Sequence, residues 1–116
     1  MPIIDHNAQP ISATAAFARL RPLVTKEHGA ASLTVQEVVM NPGMATPRQA
    51  HPTDIAFMML DGSIQMIVGD EIRTVRSGHT LLAPPGVPYK LVNNTWVAAR
   101  MLMVYPAAQL ETTVLE

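Results

Sequence analysis

Among the 116 residues there are four histidines, two tyrosines and no cysteine, which narrows the available chemistry from the outset. Without a thiol the chain has no thiolate nucleophile, no disulfide and no cysteine-based zinc site. It carries no P-loop, GxGxxG, HExxH or GxSxG pattern, so nucleotide hydrolysis, dinucleotide redox chemistry, zincin proteolysis and serine hydrolysis of the usual kinds are removed. What remains is imidazole and phenol. A histidine changes its charge near neutrality and a tyrosine is a weak acid, so a pair of them can move protons. His6, His28 and His79 lie in terminal or loop-like stretches and are read as surface residues, which leaves His51. Arg100 interrupts an apolar run and is read as an outer-face or rim charge, with an anion anchor inside the fold as the alternative. The methionines are read as adaptable core filler, since none sits at ligand spacing with a histidine.

Elements must bring His51 and a tyrosine together. Ten prolines and six glycines cut the chain into short segments. From Ser32 onward, β-branched and aliphatic runs bounded by turn residues predict strands at Leu33–Met40, Asp54–Leu60, Ser63–Val68, Glu71–Val75, Thr80–Ala83, Tyr89–Val92 and Trp96–Tyr105. Asp61-Gly62 suits a type I′ hairpin, Gly69-Asp70 a type II′ hairpin, and Pro84-Pro85-Gly86 a corner. One helix is expected after Ser12, through Leu20, with Pro22 ending it. Such a pattern predicts an all-β sandwich or barrel in one domain.

Charge and composition bound the partners. A net charge of −1 with scattered basic residues offers no footprint for nucleic acid or an anionic membrane, and no apolar stretch approaches a membrane span. The start MPIIDHNAQP lacks the pattern of a secretion signal, so a cytoplasmic protein is expected, and Asn93-Asn94-Thr95 is read as a turn and not as a glycosylation acceptor. Ile55–Leu60 and Trp96–Tyr105 are apolar on both faces. A strand of that kind must be covered on both sides, so Ala56, Met58 and Leu60 predict a homodimer or a covering N-terminal segment.

Two spacings carry more information than any single residue: Gly43-x5-Gln49-x-His51-x3-Ile55-x6-Gly62, and Gly78-x5-Pro84-x-Gly86-x2-Tyr89-x3-Asn93. The chain resembles the small single-domain bacterial cupins across roughly residues 33–106. That resemblance implies a double-stranded β-helix, or jelly-roll barrel, with an N-terminal extension over 1–31, a barrel over 32–106 and a C-terminal tail over 107–116. In metal-binding cupins two histidines and a glutamate of the first motif and a histidine of the second converge inside the barrel. Here those positions hold Gln49, His51, Ile55 and Tyr89. With no carboxylate at Ile55 the expectation is no cofactor; the alternative is a divalent metal (Mn, Fe, Ni or Zn) held weakly by Gln49, His51 and Tyr89. Asp54 is a nearby carboxylate, but strand alternation points it away.

The resemblance also implies a function class. His51 and Tyr89 are expected to face each other across a small apolar cavity lined by Ile55, Phe57 and Met59, with Gln49 orienting them. Metal-free cupin isomerases and epimerases use a similar pairing, so the expectation is an isomerase, cyclase or lyase acting on a small organic molecule, metal-free or weakly metal-dependent. A non-catalytic binding or sensing module and a metal-dependent, dioxygenase-like enzyme are the alternatives.

Overall fold

The computed structural model describes residues 1–11, 13–14 and 18–115. Eleven strands account for most of its regular structure: β1 (Ala13–Thr14), β2 (Ala18–Val24), β3 (Thr34–Met40), β4 (Gln49–Ala50), β5 (Ile55–Asp61), β6 (Ser63–Val68), β7 (Glu71–Arg76), β8 (Thr80–Ala83), β9 (Lys90–Val92), β10 (Ala99–Tyr105) and β11 (Thr113–Val114). One layer is a six-stranded sheet in the order β1-β2-β3-β10-β5-β8. Facing it are β7-β6-β9 and the pair β11-β4, and a bridge between Gln49 and Tyr89 ties β4 to the start of β9. All named pairings are antiparallel.

Alternation along β5 explains how the layers meet. Ile55, Phe57 and Met59 point inward and are buried, while Ala56 and Met58 are half-buried on the other face. Ile64, Leu81, Leu91 and Met101 meet them from the other strands to form one core.

Three expectations need correction. Around the expected helix, the described residues are strands: Ala13–Thr14 is β1 and Ala18–Leu20 lies in β2, while Ser12 and residues 15–17 fall outside the described residues. Pairing along β3, which buries Ala18 completely, overrides the helical propensity of the alanines. Pro22 is accommodated inside β2 because β1 pairs only with Arg19 and Leu20, and the β2–β3 register shifts immediately after the proline. Second, Asp61-Gly62 closes no hairpin. β5 pairs with β10 and β8, β6 pairs with β7 and β9, and the chain crosses between layers at Gly62. Only Gly62 has positive φ there, whereas a type I′ turn needs it at both positions. Third, His28 is half-buried and not a surface residue: its Nε2 meets Gln9 Oε1 at 2.8 Å, which pins the N-terminal segment.

Gly69-Asp70 does join β6 to β7, with Gly69 at φ 59° and Val68 opposite Glu71, as a type II′ turn requires. Pro84-Pro85-Gly86 is a corner closed by the Val87 amide on the Pro84 carbonyl.

Candidate functional site

Three elements converge at one end of the core. β4 ends at Ala50 and releases His51, which is buried. The peptide after the proline corner is held by the Gly86 amide donating to the His51 carbonyl at 2.7 Å, and this docks the segment leading to Tyr89 beside His51. Gln49 and Tyr89 exchange backbone hydrogen bonds, each 2.9 Å.

Their side chains form a directed chain. His51 Nδ1 lies 3.0 Å from the Glu111 carbonyl oxygen, and a carbonyl can only accept, so Nδ1 carries the hydrogen. In the tautomer with its hydrogen on Nδ1, Nε2 offers its lone pair to the Tyr89 hydroxyl, 2.7 Å away. The Tyr89 oxygen in turn accepts from Gln49 Nε2 at 3.2 Å. Tyr89 is among the most buried side chains of the molecule, and that desolvation pushes its pKa up to about 12, against the smaller, opposing effect of the Gln49 bond. The phenol is neutral across the physiological range. The Tyr89 ring also packs edge-on to Phe57, with centroids 5.9 Å apart.

These residues form the polar end of a cavity of about 170 Å³. Its other walls are Leu20, Val38, Met40, Phe57, Leu91, Met101, Met103 and Leu110, with Thr46 and Thr112 completing the polar side. Of the expected apolar wall only Phe57 faces this space. Ile55 and Met59 share its buried strand face but pack in the core instead of the cavity wall. Asp54 is exposed, and Arg100 points outward to pair with Glu37 at 3.5 Å.

The segment expected as a tail takes part in the site. After Tyr105 the chain is tied by the Thr34 hydroxyl donating to the Ala107 carbonyl. It then lays Leu110 over the cavity, presents the Glu111 carbonyl and the Thr112 hydroxyl to His51 Nδ1, and adds β11 to β4. Sequence reasoning missed Leu110, Glu111 and Thr112; the β-branched run Thr112-Thr113-Val114 was the available signal. Outside this strap an open cleft is lined by Ala50, His51, Pro52, Gly86, Glu111, Thr112 and Thr113, so His51 borders both spaces.

The four positions that hold a metal in metal-binding cupins do not fit a divalent cation in this chain. Gln49 offers a neutral amide, Ile55 no donor at all, and Tyr89 a phenol whose burial opposes ionisation. The remaining lone pair, on His51 Nε2, is engaged by the Tyr89 hydroxyl. No three His, Asp or Glu residues gather elsewhere among the described residues.

A barrel of two antiparallel layers around such a cavity, with residues of both glycine-framed motifs at its polar end, defines the class: a double-stranded β-helix protein. The chain belongs to the cupin family, whose cupin-domain model matches residues 36–105. Among solved structures it is similar to the polyketide cyclase RemF from Streptomyces resistomycificus, at 21% identity and TM-score 0.86, over 100% of this chain and 86% of that one. It is also similar to a conserved protein with a double-stranded β-helix domain from Klebsiella pneumoniae, at 13% identity and TM-score 0.75, over 91% and 90% of the chains. The Bacillus subtilis oxalate decarboxylase, a protein with Mn(II) centres, aligns at 16% identity and TM-score 0.74, over 94% of this chain but only 30% of its own. No curated protein sequence matches the chain. No helix among the described residues is long and apolar enough to cross a membrane.

Proposed function

We propose that the barrel is an acid/base catalyst acting on a small organic molecule, of the isomerase, cyclase or lyase type, with His51 and Tyr89 as its proton-handling pair. The observation that carries this reading is the 2.7 Å contact between His51 Nε2 and the Tyr89 hydroxyl at the cavity's polar end. A free phenolate is costly there, so the pair works as a relay. As the Tyr89 oxygen takes a proton from a carbon next to a carbonyl, its own proton passes to His51 Nε2, and the electrons of the broken C–H bond remain on the substrate as an enolate. The resulting imidazolium is stabilised by the Glu111 carbonyl on Nδ1. Reversal returns the proton to the same or another carbon. The similarity to a polyketide cyclase supports chemistry of this kind.

The test needs no natural substrate. In D₂O, cyclohexanone should lose its α-proton NMR signal faster with the protein than without it. Tyr89→Phe and His51→Leu should each slow that exchange by about 100-fold or more, while Tyr89→Phe still binds the ketone. Binding without any protein-dependent exchange would leave the second reading, a non-catalytic binding or sensing module. One observation favours that reading: the trio already satisfies its own hydrogen bonds.

We also propose that the protein is a homodimer in the cytoplasm. The register places Leu82, Ala56, Val104 and Val35 in one row across the outer face of the six-stranded sheet, beside Met58 and Leu102. The described N-terminal segment reaches the β2–β3 side of this face, where the His6 carbonyl accepts from Arg21 and Ile11 lies beside Arg19, Glu37 and Val39. A second copy is the cover proposed for the rest of the row.

A further inference from the structure

The geometry points to a substrate class for this cavity: an uncharged molecule of about one ring, bearing a carbonyl or hydroxyl oxygen that docks at Gln49 and Tyr89. The inference rests on the acid/base reading for its chemistry, but its own warrant is the composition and size of the wall.

Charge comes first. The lining contains no lysine, arginine, aspartate or glutamate side chain, and its one titratable base, His51, is occupied at both nitrogens by Tyr89 and the Glu111 carbonyl. The nearest candidates for a buried cation do not reach it: Arg100 faces outward to Glu37, and Arg21 donates to the His6 carbonyl. A carboxylate or phosphate entering this space would lose its hydration with no counter-ion to replace it, and an ammonium would fare no better. Neutral molecules escape that penalty.

Size and polarity narrow the class. A closed apolar cavity of about 150 Å³ is enough for benzene, and the space here is about 170 Å³. The space is open on one side, so that volume bounds the part of a molecule it encloses, which is one ring with a small substituent. Phe57, Leu91, Met101 and Met103 supply the apolar wall, and the polar groups gather on one side, so a bound molecule needs an oxygen at one end only. Thr46 lies on the same polar side, its hydroxyl oxygen accepting from the Leu91 amide at 3.0 Å.

The experiment titrates the full chain at pH 7.5 with phenol, benzoate and benzylamine, which share a ring and differ in charge. Binding is read from the methyl NMR signals of Met40, Met101 and Met103. Phenol should shift these methyls to saturation, with benzoate and benzylamine binding at least ten-fold more weakly. Tyr89→Phe should reduce the preference for phenol over toluene, and Met103→Phe, which fills the cavity from its half-buried edge, should abolish binding of both. Benzoate binding as tightly as phenol would overturn the inference, and so would phenol binding that survives Met103→Phe or no binding at all. The outcome separates from that of the catalytic reading. Phenol bound as described, with no α-proton exchange on cyclohexanone, would sink the catalysis and leave the substrate class standing. Exchange of the α-protons of levulinate, a carboxylated ketone, that depends on His51 and Tyr89 would do the reverse.

Discussion

Tyr89 is among the most deeply buried side chains of the molecule, and that burial has a measurable sign. Burial raises its folded-state pKa from 10.0 to about 12, and Tyr105 is shifted in the same direction by its own burial. Below pH 10 both folded and unfolded chains keep these phenols protonated, so the stabilisation is fully present. Above pH 10 the unfolded chain ionises first, and stability falls as the pH rises through 12. Two units on Tyr89 correspond to about 2–3 kcal/mol. Denaturant melts between pH 9 and pH 12 should show this loss, and Tyr89→Phe should flatten it to the share left by Tyr105. At this scale the sequence was legible where spacing spoke: the motif frame singled out Gln49, His51 and Tyr89, and the fold brings their side chains together. It was silent where the contribution is backbone. The Glu111 carbonyl that sets the tautomer of His51 is an atom every residue possesses, so no residue type could announce it. Asn93 shows the opposite case. The last anchor of the second motif is fully buried, donates to the Met40 and Val97 carbonyls and accepts from Thr95, which also withdraws it from any surface role.

At the scale of elements, Gly62 shows why a turn dipeptide alone does not define a hairpin. Its φ is +78°, and an added Cβ would stand 2.9 Å from the Ala98 carbonyl oxygen and 3.1 Å from the Ala99 Cα, both backbone atoms with nowhere to move. Gly62→Ala should therefore cost about 2–4 kcal/mol, combining a left-handed backbone with a close contact, and thermal unfolding measures it. The cost should exceed that of Gly69→Ala, where nothing lies within 4 Å of the added carbon. β3, β5, β6, β8, β9 and β10 were readable from apolar runs because each buries part of one face in the core, and β7 from the hairpin turn that leads into it. β2 was hidden by its alanines and Pro22, although Arg19-Leu20-Arg21 alternates as a strand should. β4 and β11 have two residues each, below the length at which a pattern exists to be read. The element that closes the cavity was for that reason the least legible part of the chain.

For the whole molecule, the outer face of the six-stranded sheet carries the testable claim. Light scattering at micromolar concentration should return twice the chain mass of 12.6 kDa. Met58→Lys, placing a charge in the middle of the apolar row, should return the monomer mass with the barrel still folded. A wild-type monomer would remove the dimer and leave the rest of that row uncovered. The strap has a different kind of consequence. His51 borders the inner cavity with Nε2 toward Tyr89, and it borders the outer cleft beside Glu111 and Thr112. In the proposed relay the substrate's proton stays on the Tyr89 oxygen and the phenol's own proton on Nε2, so exchange at Nδ1 on the cleft side carries neither of them out. The wall is a dead end for the label, and deuterium reaches a bound molecule only when the inner side itself meets solvent. In D₂O, singly deuterated product should then precede the doubly deuterated one.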